Sequence, residues 1–522
     1  MSLGQWAGYR WLAERYNIKT VQPFRIDSQI VKSRSTERVD GLIHEFYPPA
    51  FKPEDTFLDH MTFALKREGI HLEFLARLFE VVPVTEIEEW VNAEPSGQYA
   101  RRTGFFYEWL TGRQLNFKGV SVGNYVDAID AKHYFTASNP DNNQRWRVRN
   151  NLPGNRNYCP VIYLTNKVKA AESYDCQQSL SNLEAEYGQD LLMRSAVWLT
   201  VKESQASFSI EHEDQQTDRI KRFAAVMEKH CGQIENPLGL SSLSELQAEI
   251  LGSRATRYGL RQSPVFVGEN DFQALTIVHY IAPHWEDTES MLSGLSEFAG
   301  RTLDKSPLVR AAVLSFGFVY IHPMADGNGR ISRFLINDSL RRDQAIPAPF
   351  ILPVSATIIS SSQNRYGYDQ ILEVLSKPLM RHYQDHYHFG SQSKGADGVD
   401  YNFYCNSYAD ACSVWRYPDL TAHCEYLVQI IDQTINQEMR KEAGYLRSIR
   451  VTRARIKEVL DGPDTDIDRI IRSIRNSHGK ISNKLCKEFP LLSEADIGSE
   501  IIKIVQDEFG ISVIGISDES GE

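Results

Sequence analysis

His322-Pro-Met-Ala-Asp326-Gly-Asn-Gly-Arg330, with Arg333 three residues further on, holds a base, a carboxylate, two glycines and two guanidinium groups. Each type has a use in handling a nucleotide phosphate. An imidazole with an ordinary pKa of about 6.5 can accept a proton at neutral pH, so His322 suits a general base that activates a hydroxyl. Asp326 offers the hard oxygen that Mg²⁺ prefers, with phosphate oxygens completing the shell. Gly327 and Gly329 can adopt positive φ and bring backbone N–H groups close to an anion at the start of a helix predicted over 331–340. Arg330 and Arg333, three apart near the start of that helix, can point both forks at one polyphosphate. A bare D-G-N-G would equally suit a turn between two helices, with a capping Asp. The His, the paired Arg and the apolar run before them favour the phosphate reading.

That run, Pro307–Ile321 (PLVRAAVLSFGFVYI), is apolar nearly all round, which predicts a buried helix and a rigid support for His322. Upstream, residues 263–280 place β-branched and aromatic residues on either side of Gly268-Glu-Asn-Asp271, the pattern of a β-hairpin.

Residues 322–333 resemble the signature of Fic-domain proteins, H-x-F-x-[D/E]-G-N-G-R-x-x-R, and match it at every chemically active position. Met324 stands where the family usually has Phe, one flexible apolar side chain for another. The resemblance implies transfer of AMP from ATP to a Ser, Thr or Tyr hydroxyl of a protein. By it His322 deprotonates the hydroxyl and Asp326 holds Mg²⁺. Gly327, Asn328 and Gly329 bind the α- and β-phosphates, and Arg330 and Arg333 hold the β- and γ-phosphates. The predicted hairpin resembles the family's flap, which pairs with the target backbone; Val265, Phe266, Val267 and Gly268 would form its target-binding edge. Arg365-Tyr-Gly-Tyr368 resembles the paired tyrosines beside the adenine, with Gly367 replacing one of them and Tyr368 left to stack. Ser207-Phe-Ser-Ile-Glu211-His212 resembles the inhibitory motif [S/T]-x-x-x-E-[G/N] of self-inhibited members that carry this helix N-terminal to the Fic core. Glu211 would then pair with Arg333 in the space a γ-phosphate needs, with Ser207 as the motif's hydroxyl residue. His212 departs from the usual Gly or Asn.

A chain of 522 residues, 42% hydrophobic and 24% charged, is globular with about three domains. The net charge of −11 weighs against broad attraction to nucleic acid or an anionic membrane. No apolar run approaches the roughly 18 residues a bilayer span needs, and the N-terminus lacks the order of regions of a signal peptide. Seven dispersed cysteines without a C-x-x-C fit a reducing, cytoplasmic setting. The fold expected is mainly α. An α-rich unit of unassigned role covers 1–165, and a Fic core with its hairpin flap covers 166–395. A helical connector over 396–460 leads to a winged-helix or helix-turn-helix-like module over 461–522.

Within the first unit, residues 142–151 mix Trp146 with three arginines, a pattern that suits either single-stranded nucleic acid or an intramolecular contact. In the last module, residues 464–522 carry seven Lys and Arg against twelve Asp and Glu, which favours protein over DNA as its partner. The leading function is therefore an autoinhibited protein adenylyltransferase that uses ATP and Mg²⁺, acts on a target protein and on itself, and has no membrane contact. Two alternatives stay open: removal of AMP by the same site, and an ATP-sensing interaction protein. The target, the choice of nucleotide and a homodimeric state are not written in these motifs.

Overall fold

The structure, a computed structural model, describes residues 5–39, 41–120, 123–213, 215–252, 259–270 and 276–511. Helices dominate, as expected, and among the described residues no helix is long and apolar enough to cross a membrane.

The first unit gathers Phe74, Leu78, Ile87 and Phe106 into one apolar core beneath the helices Phe57–Arg67, Leu72–Val81, Val84–Ala93 and Gln98–Thr111. It is less purely helical than the sequence suggests, because a four-stranded sheet precedes these helices. Ile26–Ile30 runs parallel to Leu42–Tyr47, flanked by Gln5–Ala7 and Ser35–Val39. These strands hide from a period-two reading for a physical reason. Ser35–Val39 is an edge strand exposed along its whole length, and Ile26–Ile30 buries Asp27 and Ser28. The arginine-rich stretch around Trp146 is spent internally. The indole is fully buried, stacks on Phe117 at 4.5 Å and donates to Glu108 Oε2 at 2.7 Å. Arg145 pairs with the same Glu108, and Arg149 with Asp127.

A second, larger core is built around Pro307–Ile321. Proline at its first turn suits a position that needs no N–H donor, and from Leu308 to Ile321 every side chain except that of Val319 is buried. The helices Trp285–Arg301, Asn328–Arg342 and Thr421–Gln433 pack on it. The last of these corrects the expected division. Residues 408–443 bury Val414, Leu427, Ile431 and Met439 in the central core, so they are part of it and not a connector. The expected boundary at 395/396 also cuts a hairpin, Tyr387–Lys394 paired with Asp400–Cys405, where helices were expected from about 400. Its aromatics Phe389 and Phe403 close on Phe266 of the flap at 5.5 and 4.8 Å, a contact that no local periodicity records.

The helix Arg440–Lys457 leaves the central core at Ala443 and enters a third core at Ile456, joining Asp464–Asn476, Asn483–Glu488 and Ala495–Phe509. This core therefore begins before residue 461. The sequence 511–516 (ISVIGI) reads as a short apolar strand; it lies outside the described residues apart from Ile511.

The predicted hairpin is present as Phe266–Asn270 paired with Thr276–Ile281. Gly268, Glu269 and Asn270 belong to its first strand and not to its turn, while residues 271–275 lie outside the described residues. The register shifts between Val267 and Gly268, where a Cβ on Gly268 would strike the Ile277 carbonyl.

Candidate active site

The buried helix ends at His322, which caps it in the left-handed region at φ 49° and donates its N–H to the Phe318 carbonyl at 2.9 Å. That conformation costs an L-residue about 1 kcal/mol and turns the chain abruptly into the motif loop. The imidazole Nδ1 faces the Val319 carbonyl at 3.3 Å; with Nδ1 as donor, Nε2 is left as the acceptor. Burial, reinforced by the nearby Arg261 guanidinium, pushes the His322 pKa down to about 4, so the ring is neutral at physiological pH.

Arg261 was invisible to motif reading. Fully buried, it donates to the carbonyls of His322 at 2.7 Å, Pro283 at 2.6 Å and Ser263 at 3.2 Å, tying the motif loop to the base of the flap. Gln247 is a second such residue. Its amide nitrogen donates to the Asp326 carbonyl at 2.8 Å, and its oxygen accepts from the Gly259 N–H at 2.6 Å. Neither residue sits in a pattern that sequence alone could single out.

Gly327 takes φ 86° and starts the helix Asn328–Arg342. Gly329 does not take positive φ, contrary to expectation; it is helical, and its lack of a side chain makes room for the Glu211 carboxylate, which a Cβ there would strike. The Asn328 side chain is committed to the loop: its oxygen accepts from the Met324 N–H at 2.9 Å and its amide donates to the Met324 carbonyl at 2.8 Å. Met324 itself is fully buried.

The two arginines are already partnered. Arg333 donates to Glu211 Oε1 at 2.5 Å, to the Ser207 hydroxyl at 2.6 Å and to the Ser207 carbonyl at 3.0 Å. Arg330, with its side chain 1% exposed, donates to Glu213 Oε2 at 2.6 Å and to Asp326 Oδ1 at 2.8 Å. Its Nε lies 3.3 Å from Glu211 Oε2, an ion pair without hydrogen-bond alignment. Ser207 lies on the helix Gln189–Ile210, and Glu211 is its C-terminal cap. A buried carboxylate one turn earlier, Glu203, anchors this helix by accepting from the Ser355 N–H and hydroxyl, both at 2.6 Å. Burial raises the Glu203 pKa to about 7, against the pull of the Ser355 hydrogen bonds and Arg333.

A cleft of about 960 Å³ joins these parts. It brings together His322, Asp326, Gly327, Asn328, Gly329, Arg333, Tyr368, Glu211, Val267 and Gly268, while Arg330 and Ser207 lie behind its wall. Val265 and Phe266 do not line it either. Val265 accepts from the Ala282 N–H beside the core, and Phe266 packs into the aromatic cluster with the second hairpin. Tyr368 is buried at the cleft wall, whereas Tyr366 is 64% exposed. Among the described residues no three His, Cys, Asp or Glu side chains form a metal cage. The half-exposed Asp326 carboxylate fits the simpler arrangement in which one protein oxygen and phosphate oxygens share a Mg²⁺.

A neutral imidazole, a half-exposed carboxylate and a glycine-headed helix bearing two arginines thus meet within one helical domain. Residues 237–340 match the model of the Fic/DOC family, so the chain carries a Fic/DOC domain over that segment. Ser207, Glu211 and Tyr368 lie outside the matched segment. Over 121 residues the chain is 29% identical to protein adenylyltransferase fic-1 of Caenorhabditis briggsae, a match covering 22% of each chain. Two solved structures show weak overall likeness. A Fic family protein from Desulfovibrio desulfuricans G20 has a TM-score of 0.37 at 16% identity, covering 68% of this chain and 87% of the other. A Fic domain containing signaling protein from Bacteroides thetaiotaomicron VPI-5482 has 0.33 at 17%, covering 52% and 98%.

Proposed function

We propose that this protein is an adenylyltransferase that moves AMP from ATP to a hydroxyl of a protein, and that it is held inactive by Glu211. The observation that carries this reading is the neutral His322 in one cleft with a glycine-headed helix whose Arg333 is neutralised by a carboxylate. A carboxylate at that point stands where an anionic ligand would sit, at the positive end of a helix dipole.

In the reaction, Nε2 of His322 takes the proton from the target hydroxyl as its oxygen attacks the α-phosphorus. A new P–O bond forms to the target, the bond from the α-phosphorus to the bridging oxygen breaks, and pyrophosphate leaves. Backbone N–H groups at the start of Asn328–Arg342 hold the phosphates, and Arg333, once freed, counters the charge gathering on pyrophosphate. Asp326 would hold Mg²⁺, which supplies charge neutralisation for the phosphates when bound. The flap offers the backbone of Val267 and Gly268 at the cleft for pairing with a target strand, and Tyr368 offers a face to the base. The C-terminal helices are assigned to protein contact, since Ala495–Phe509 carries Asp496, Glu500, Asp507 and Glu508 against Lys503.

The test is incubation of wild type, Glu211→Gly and His322→Ala with Mg²⁺ and ATP labelled at the α- or the γ-phosphate. Glu211→Gly is expected to gain α-label on protein, its own chain included, and His322→Ala to gain none. Label that survives loss of His322, or that comes only from the γ-position, refutes the proposal.

A further inference from the structure

We propose that Glu213 is a second arm of the inhibitory latch: it holds Arg330 while Glu211 holds Arg333, so that loss of Glu211 opens the site in part and the outer phosphates of ATP gain their full hold only when both carboxylates leave. This inference rests on the reading of Arg330 and Arg333 as phosphate ligands given above. Glu213 lies two residues beyond the inhibitory pattern's glutamate, and nothing in that pattern assigns it a role.

The way the helix Gln189–Ile210 ends is what brings the second acid into place. The His212 N–H donates to the Ser209 carbonyl at 3.1 Å and the Glu213 N–H to the Phe208 carbonyl at 2.9 Å, the paired bonds of a Schellman ending. Such an ending needs a left-handed residue, and His212 supplies it at φ 59°. The chain folds back over the helix end, so that the cap residue and the residue two further on both present carboxylates to the start of Asn328–Arg342. Glu213 accepts from Arg330 Nη1 at 2.6 Å, and Arg219 backs it at 3.6 Å. The Phe208 ring lies under the same guanidinium, 5.0 Å from its carbon.

One helix end therefore supplies every partner that the latch places on the two arginines: the Ser207 hydroxyl and carbonyl, the Phe208 ring and both carboxylates. Movement of that end withdraws all of them together, whereas a single substitution removes one arm only. Loss of Glu211 alone leaves Arg330 clamped between Glu213 and Asp326. Loss of Glu213 removes the partner of Arg330 Nη1 and leaves the guanidinium to Asp326 Oδ1 and, at 3.3 Å, Glu211 Oε2.

The experiment measures dissociation constants of the full-length protein for ATP, ADP and AMP by calorimetry in EDTA, for wild type, Glu211→Gly, Glu213→Ala and the double variant. AMP lacks the outer phosphates, so the ratio of the ATP constant to the AMP constant isolates them. We expect that ratio to fall about tenfold when Glu213→Ala is added to Glu211→Gly, the size of one charge-assisted contact. An unchanged ratio in that background overturns the second arm. Glu213→Gln keeps the shape of the side chain and is read in the same way should the alanine variant unfold. Arg219→Ala, which removes the backing charge, should shift the ratio in the same direction by less. A lowered ratio without α-label transfer in any variant would sink the transferase reading and leave the two-armed latch standing. Label in Glu211→Gly, with a ratio indifferent to Glu213, would do the reverse.

Discussion

At one end of the cleft His322 rides on a buried helix, is held by the Arg261 staple and keeps a neutral ring; at the other, Arg333, with Arg330 behind the wall, is closed by carboxylates that both come from the end of the helix Gln189–Ile210. The first end holds its ring in one place by a buried helix and a buried guanidinium. The second has its two cations already occupied by carboxylates. On the proposed function, the contrast separates two properties that a single active site usually combines: the base would be assembled in advance, and only access by the outer phosphates would be gated. Inhibition of that kind would leave the geometry around His322 intact and could be released without rebuilding the site.

The sharpest way to break this contrast is to disable the ready end while the gated end is open. In a Glu211→Gly background, His322→Asn should lower α-label transfer by about a thousandfold while the ATP dissociation constant stays within about twofold, because a general base acts on the transition state and not on phosphate binding. A comparable loss of ATP affinity would show that the two ends are not separable. Within the same background the acid limb of the transfer rate should fall near pH 4, where the half-buried His322 takes up its proton, and not near 6.5. A limb at 6.5 would mean that the ring is solvated in the working state.

The gated end should carry its own pH dependence through Glu203. Its pKa rises from the ordinary 4.5 to about 7 in the fold, so the fold prefers the protonated acid. The stabilisation from this group is present below about pH 4.5 and is lost as the pH rises through about 7, a change of about 3 kcal/mol at most. Glu203→Gln, which resembles the protonated form, should therefore gain stability over wild type at pH 8 and lose that advantage by pH 5 in denaturant titrations. A pH-independent difference would place the charge of Glu203 elsewhere. The smallest effect should come from His212→Gly. Relieving a left-handed L-residue at the helix end should stabilise the protein by about 1 kcal/mol and firm the latch, seen as a higher melting temperature with no gain of label. A drop in melting temperature would show that the His212 side chain matters more than its backbone.

Much of the candidate site was legible because it is local. The motif residues His322 to Arg333 lie within one loop and one helix, and the helix Pro307–Ile321 ends where its apolar run ends. The flap was legible as a hairpin, yet its first strand runs through Gly268, Glu269 and Asn270, because a glycine that permits a close backbone approach reads like a turn. The second hairpin was missed since its aromatics serve Phe266, a residue more than a hundred positions away. Arg261 and Gln247 escaped because their partners are backbone carbonyls and N–H groups, which every residue offers and no motif can announce.

The sequence by itself determined which groups are on offer: an imidazole, a carboxylate and a glycine-headed helix start with two arginines, set by side-chain types at fixed local spacing. Only the tertiary structure decided the state of that chemistry. Arg333 meets Glu211 across 122 positions and Arg330 meets Glu213 across 117, and those pairings follow from how the helix Gln189–Ile210 packs and ends, not from any neighbour in the chain. Local chemistry sets which groups are on offer; packing over long separations sets which of them are already taken.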